Sequence, residues 1–112
     1  MNTLNSIQKV NWQGASGRLY TYLVYSLPGG APSSQPGNYI YTTIVQGKWV
    51  PLHIGQGHLH LETSITTHTL SSWLLDNGVS HVHAHINSVE QDRLSEEADL
   101  LAAFPGIGGS QL

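Results

Sequence analysis

Two short stretches rich in aromatic and β-branched residues, joined by a three-residue connection, restrict the fold of this chain more than any other feature. They run from Asn38 to Val45 and from Trp49 to Ile54, with Gln46-Gly47-Lys48 between them. Such residues favour pleated strands, and a short connection that contains glycine is typical of a β-hairpin. Pro51 has no backbone N–H to donate, so we expect an unpaired or bulged position there.

One further strand is predicted on each side of this hairpin along the chain. Gly17 to Leu27 and His81 to Ile86 both alternate in character, as expected when successive side chains point to opposite faces of a sheet. Between the first strand and the hairpin, the Pro- and Gly-rich residues 28–37 are expected to form a loop.

Two helices are predicted from the spacing of apolar residues. Apolar side chains recur every three or four positions between His58 and Asp76, which predicts one helix. A second helix is expected from a capping box at 88–91 to its end at Pro105-Gly106. Its predicted buried stripe consists of Leu94, Ala98 and Leu101. Together, the elements predict an α+β fold with a small central, mostly antiparallel sheet flanked by helices.

The chain has 112 residues, which is enough for one compact domain. Residues 1–16 are weakly patterned and are expected to form a loose or extended arm, 17–105 the domain, and the Gly-rich residues 106–112 a mobile tail. No apolar run approaches the roughly 20 residues that span a bilayer. We therefore expect a soluble, cytoplasmic protein without a membrane partner, while the oligomeric state stays open.

The charge balance limits the partners that this chain can have. Four Lys and Arg stand against seven Asp and Glu, which gives a formal net charge of -3. Because nucleic-acid binding through a broad face needs several cations that neutralise phosphates, charge gives only weak support to a nucleic-acid partner. The absence of Cys excludes a disulfide framework, a thiolate zinc site and a Cys nucleophile.

Histidine is the most frequent titratable residue, with seven copies. His81, His83 and His85 alternate along one predicted strand, which would place them on one face about 7 Å apart. Three imidazoles with an added carboxylate would suit Zn²⁺, Ni²⁺ or Fe²⁺. The alternative is that these side chains are ordinary polar residues that face solvent.

The second helix carries an acidic run. Five of the seven acids lie between Glu90 and Asp99. Acids in the first turn complement the helix dipole, and the rest can form a solvated face. A carboxylate turned toward a cleft could instead hold Mg²⁺.

The hairpin and the last helix resemble the motifs of one family of enzymes, the GIY-YIG nuclease superfamily. Gly37-Asn38-Tyr39 is similar to the first triad of that family, and His53-Ile54-Gly55 to the second, with His in place of Tyr. The run from Arg93 to Pro105 resembles the last family helix, in which a Glu lies three residues before a Leu-Leu pair and a Pro follows. The resemblance covers roughly residues 17–105.

This resemblance implies a divalent-metal-dependent phosphodiesterase, an endonuclease that acts on nucleic acid. Tyr39 would act at the attacking water and His53 would assist it. Glu97 would hold Mg²⁺ or Mn²⁺, with Glu96 as the second choice. Such chemistry needs a positioned water, a Lewis acid and cations on the developing charge. It also needs the three side chains of Tyr39, His53 and Glu97 to converge on one hollow.

The chain departs from the family pattern in two places. The predicted helix after the second triad has no Arg or Lys and reads His60-Leu61-Glu62 where the family has basic residues, and the family's closing Asn is missing after Pro105. His60 is therefore assigned to the catalytic group, and His58 and His68 to phosphate contact. The departures leave an active or weakened endonuclease, a non-catalytic binding module on the same scaffold, and a His-rich metal-binding protein as the functional hypotheses.

Overall fold

The structure, a computed structural model, describes residues 8–66 and 68–108. Its elements in chain order are β1 (Lys9–Gln13), β2 (Leu19–Ser26), β3 (Pro36–Val45), β4 (Lys48–His58), α1 (Leu59–Glu62), α2 (Ser71–Asp76), β5 (His81–Ile86) and α3 (Glu90–Ala103). The strands form one antiparallel sheet in the order β1-β2-β5-β3-β4. This arrangement confirms the predicted α+β fold. None of the helices in the described ranges has the length and apolar character needed to cross a membrane.

The predicted hairpin is confirmed as β3 and β4, and β4 is longer than expected. Gln46 and Gly47 both have positive φ, 53° and 77°, which is the backbone that a tight two-residue hairpin turn requires. The register shifts so that Tyr41 pairs with His53 but Thr42 pairs with Pro51. The bulge expected at Pro51 is thus present, and it fixes which side chains of β4 share a face with those of β3.

The segment expected as an N-terminal arm contributes a strand. Lys9–Gln13 pairs with β2 at the edge of the sheet, and Trp12 is buried. Beyond this strand, Asp99 of α3 accepts hydrogen bonds from the backbone N–H and the hydroxyl of Ser16, at 2.8 and 2.7 Å. The rest of the predicted arm, residues 1–7, lies outside the described residues.

The prediction of one helix from His58 to Asp76 was wrong. His58 stays in β4 and its ring accepts a hydrogen bond from the Leu61 N–H, which starts the short helix α1. Thr63 ends α1, since its hydroxyl donates to the Leu59 carbonyl and accepts from the Ala31 N–H. Such side-chain bonds to the backbone compete with helix propagation, and α2 begins only at Ser71.

The sheet separates two cores. The tyrosine face, covered by α1, α2 and the turns between them, carries Tyr39, Tyr41, His53, Val82 and Ala84. The tryptophan face, covered by α3, carries Trp12, Tyr22, Ile40, Ile54 and His83. Because side chains alternate along a strand, neighbouring residues of the hairpin belong to different cores.

Helix α3 differs from its prediction in its buried face and its start. The buried residues are Glu96, Glu97 and Leu100, whereas Leu94 and Ala98 are exposed. The capping box was also wrong, since the cap residue Val89 makes no side-chain hydrogen bond to the helix. Glu96 and Glu97 make polar contacts beneath the helix. The buried face is therefore rotated by part of a turn from the predicted apolar stripe.

The start of the predicted mobile tail is attached to the sheet. The Ile54 N–H donates to the Gly108 carbonyl at 3.2 Å, and Gly108 pairs in parallel with His53 at the outer edge of β4. Residues 109–112, the rest of the predicted tail, lie outside the described residues.

Candidate functional site

A cluster of polar side chains lies on the tyrosine face around the hydroxyl of Tyr39. Tyr39 and Tyr41 are two positions apart on β3, so both point to this face, and His53 of β4 pairs directly opposite Tyr41. Glu62 at the end of α1 and His68 in the following turn complete the group. We call these five residues the tyrosine cluster.

Hydrogen bonds connect the members of the tyrosine cluster. The Tyr39 hydroxyl donates to Oε1 of Glu62 at 3.0 Å, and Nε2 of His68 lies 3.3 Å from the same hydroxyl. The Tyr41 hydroxyl donates to the backbone carbonyl of Glu62 at 2.7 Å. Nε2 of His68 and Oε1 of Glu62 are 3.6 Å apart. The two phenols therefore fix both the backbone and the side chain of Glu62.

The glycines of the two triads have separate structural roles in this site. Tyr39 pairs opposite Gly55, and its phenol end occupies the space where a Cβ on Gly55 would lie. A Cβ on Gly37 would collide with the His85 carbonyl oxygen and the Leu59 side chain. Gly55 of the second triad thus leaves the space that the Tyr39 ring of the first triad fills. Gly37 allows β5 and α1 to approach β3 closely.

Burial sets the protonation states of the cluster. Burial and, secondarily, the charge of Glu62 raise the pKa of Tyr39 well above its usual range, and the same two causes raise the pKa of Tyr41. Burial, followed by the nearby His68, lowers the pKa of His53 to about 4. Burial also lowers the pKa of His68, although Glu62 acts in the opposite direction. At neutral pH both phenols keep their protons and both imidazoles are neutral.

Exposure differs sharply among these side chains. Tyr39 is 1% exposed and His53 2%, and the side chain of His68 is 6% exposed, whereas that of Glu62 is 40% exposed. Glu62 is therefore the member of the cluster through which solvent reaches the group.

Glu97 lies on the opposite side of the sheet from the tyrosine cluster. It lies on α3, one turn before Leu100, which packs against Ile40 and Ile54 of the tryptophan face, and it is 4% exposed. Its charge nevertheless contributes to the raised pKa of Tyr39, so the carboxylate is within electrostatic reach of that phenol. The structure thus brings Tyr39 and His53 together on one face and places Glu97 under the helix on the opposite face, so the expected convergence of the three side chains on one hollow was wrong.

Glu96, the second choice for the metal ligand, belongs to a different buried group. One carboxylate oxygen accepts a short hydrogen bond from the Tyr22 hydroxyl, and the other lies 3.3 Å from Nε2 of His85. Both residues are on the tryptophan face, where their rings pack at 4.6 Å. The Tyr22–Glu96–His85 group holds α3 onto β2 and β5.

The histidines predicted to contact phosphate or substrate have separate positions. His58 caps α1, and His60 is exposed on α1. Of the three, only His68 belongs to the tyrosine cluster.

The three histidines of β5 lie on one face, as their alternation predicts, but each has its own partner. Nδ1 of His83 accepts a hydrogen bond from Trp12 Nε1 at 2.9 Å, while His85 lies against Glu96 and His81 against Ser80. Nε2 of His83 and Nδ1 of His85 are buried without a hydrogen-bond partner among the described residues. Across residues 8–66 and 68–108, no group of three or more His, Asp or Glu side chains could hold a metal ion.

The donor set at Glu97 does not fit a preformed magnesium or manganese site. Mg²⁺ prefers six oxygen ligands and usually keeps several waters when the protein supplies one or two carboxylates. A carboxylate that is 4% exposed beneath a helix leaves little space for such a shell.

Two members of the tyrosine cluster were missing from the sequence prediction. Tyr41 carries a signal that could have revealed it, because it lies two positions after Tyr39 on the same strand. Glu62 was noted only as a departure from a basic pattern, and its contact with Tyr39 depends on where α1 ends, which the apolar spacing did not predict.

Comparison with protein-family models, with curated proteins and with solved structures finds no significant match for this chain.

Proposed function

We propose that this chain is a phosphodiesterase domain of the GIY-YIG type that acts on nucleic acid, with Tyr39 at the attacking water. The observation that carries the proposal is the convergence on the Tyr39 hydroxyl of Glu62 and His68, at 3.0 and 3.3 Å. Tyr39 is the residue that the resemblance assigns to the attacking water, and its hydroxyl lies beside a carboxylate and a neutral imidazole.

In the proposed reaction, the phenol acts in its protonated form. Its raised pKa excludes a standing phenolate at neutral pH, so Tyr39 orients a water through its oxygen rather than removing a proton as an anion. His53, neutral and packed with its ring centroid 5.9 Å from that of Tyr39, supports the phenol. The substrate phosphate would approach beside Glu62, the half-exposed member of the cluster.

Plasmid nicking tests the proposal directly. Supercoiled DNA and a labelled single-stranded RNA would be incubated with the chain in Mg²⁺, in Mn²⁺ and in EDTA. We expect slow cleavage of at least one substrate and a loss of about 10²-fold or more in Tyr39→Phe. Tyr25→Phe is the matched control, since Tyr25 lies on the same face two strands away, roughly 10 Å.

The role of Glu97 is tested in the same assay. Because the burial of Glu97 does not fit a metal site, Glu97→Gln should lower cleavage in Mg²⁺ or Mn²⁺ no more than Glu90→Gln does, an exposed acid of the same helix. Cleavage that is equal in EDTA would contradict a role for a divalent ion. If the unaltered chain cleaves neither substrate in any of the three conditions, the proposed activity fails.

A second candidate, a non-catalytic binding module, is favoured by a different observation. Tyr39, His53 and Glu97 are each at most 4% exposed, so a phosphate cannot contact all three unless the chain opens. Of the four cations, Arg93 is committed to Gln56 and to the Asn87 carbonyl, at 2.9 and 3.0 Å. The cation content left for phosphate is small. Binding of labelled oligonucleotides without cleavage, measured by anisotropy, would favour this candidate.

A further inference from the structure

The hydrogen bonds of the tyrosine cluster have a defined direction. Nδ1 of His68 accepts from the Leu70 backbone N–H at 3.1 Å, so the proton of the neutral ring lies on Nε2. That N–H faces the oxygen of Tyr39 at 3.3 Å, and the Tyr39 O–H faces Oε1 of Glu62 at 3.0 Å. The series of hydrogen bonds therefore runs from His68, through Tyr39, to Glu62 as the final acceptor.

This direction leaves one proton acceptor, Glu62, at the end of the series of hydrogen bonds. Nε2 of His68 already carries a proton and cannot take the one from the phenol. The carboxylate of Glu62 has free lone pairs and a side chain that is 40% exposed, so it can return a proton to water. The phenol oxygen receives one hydrogen bond, from His68, which occupies one of its two lone pairs.

We infer that Glu62 is the terminal proton acceptor of the proposed hydrolysis, and that His68 is a positioning residue that orients the Tyr39 phenol toward it. The inference rests on the proposed function. As the water attacks phosphorus, one water O–H bond breaks and a new O–H bond forms on the Tyr39 oxygen. The original phenol O–H bond breaks at the same time, and its proton goes to Oε1 of Glu62.

The reaction balances with these groups and solvent water. The hydroxide oxygen forms the new P–O bond, the bond from phosphorus to the leaving oxygen breaks, and that oxygen takes the electron pair and a proton from solvent. Glu62 then loses its proton to water, which restores the starting state. Where the resemblance implies a basic residue that stabilises charge, this chain has Glu62. Its role in the proposed reaction is to remove a proton.

Several ionisable groups surround this relay and affect its titration. His68 lies in the turn that follows α1, His53 on β4 and Tyr41 on β3, and the charge of Glu97 on α3 also reaches the Tyr39 phenol. Both imidazoles are neutral at neutral pH, and both phenols are protonated. The Oε1 atom of Glu62, 3.0 Å from the Tyr39 hydroxyl, is therefore the acceptor that the geometry offers to the phenol proton.

The test measures cleavage of bis(p-nitrophenyl) phosphate by the full chain, a probe whose leaving group needs no acid, between pH 5 and 9. We expect Glu62→Gln to lower the rate by about 10²-fold. Glu62→Asp should recover part of the rate, and added formate should rescue Glu62→Ala. A merely structural role of Glu62 would not respond to formate. Glu90→Gln is the matched control and should leave both rate and profile unchanged.

The role of His68 is measured separately from activity. ¹⁵N NMR of the imidazole should show the proton on Nε2 in the unaltered chain. A proton on Nδ1 would overturn the direction of the relay, and full activity in Glu62→Gln would overturn the assignment of Glu62 while the proposed function stands. If the unaltered chain hydrolyses neither this probe nor nucleic acid, the proposed function fails and takes the relay with it.

Discussion

The two faces of the sheet use the same three kinds of polar side chain for different ends. Each face buries a Tyr that donates to a Glu beside a His: Tyr39, Glu62 and His68 on one, and Tyr22, Glu96 and His85 on the other. The difference lies in the carboxylate, because Glu62 is 40% exposed and the side chain of Glu96 is 5% exposed. Solvent thus reaches the first group through its carboxylate, whereas the second is open to solvent only at His85, whose side chain is 24% exposed.

The largest expected effect is the pH dependence of the free energy of unfolding. It tests a feature that the two faces share, a buried neutral imidazole. His53 and His83 have pKa values of about 4 in the folded chain, against about 6.5 when unfolded. Their stabilising contribution is complete above pH 6.5 and is lost as pH falls toward 4, because the unfolded chain binds protons first. We expect the free energy of unfolding to fall by about 6 kcal/mol between pH 7 and 4, roughly half from each residue.

Urea titrations across this pH range measure that fall. His68, whose pKa is also lowered, adds to the loss in the same direction. His53→Gln and His83→Gln should each remove about half of the pH-dependent part, whatever their effect at pH 7. If one variant removed all of it and the other none, acid sensitivity would belong to a single face.

The next largest effect concerns the apolar support of the tryptophan face. Trp12 is 6% exposed, packs against Leu100 in the core and donates to His83. Trp12→Ala should lower the free energy of unfolding by about 3–5 kcal/mol, because it leaves a cavity and an unpaired Nδ1 on His83. Trp73→Ala is the control, since Trp73 is 47% exposed and should cost roughly 0.5 kcal/mol or less. Equal losses would contradict the placement of Trp12 in the core.

The smallest expected effects come from a pair of matched Tyr→Phe substitutions, one on each face of the sheet. Tyr22→Phe removes a hydrogen bond to a buried carboxylate and should cost about 1.5–3 kcal/mol. Tyr39→Phe makes the same change on the other face and should cost less, about 0.5–1.5 kcal/mol, because water can reach Glu62. Thermal unfolding of both variants measures the difference. The reverse order would mean that the tyrosine cluster is the more rigid of the two groups.

The sequence predicted the parts of the fold that depend on local pattern. The hairpin, the bulge near Pro51 and the alternation of β5 follow from turn chemistry and from the two-residue period of strands. The helix between His58 and Asp76 was wrong because hydrogen bonds of His58 and Thr63 to the backbone outweigh an apolar periodicity built on weak helix formers.

The candidate site was predictable to a smaller extent. Tyr39 and His53 share a face because of strand register, which the two motifs encode. The buried position of Glu97 and the role of Glu96 depend on how α3 rotates over the sheet. That rotation is decided by partners distant in sequence, such as Tyr22 and His85. No spacing rule within the helix contains this information, since acids on a helix are usually solvated.

The short pairing of Gly108 with the outer edge of β4 connects the two faces mechanically. Residues 105–108 leave α3 on the tryptophan face and end at His53, and Gly108 also makes a backbone hydrogen bond that favours protonation of that imidazole. Because Gly108 pairs with the outer edge of β4 at His53, the few residues that follow α3 contribute to the burial of that imidazole.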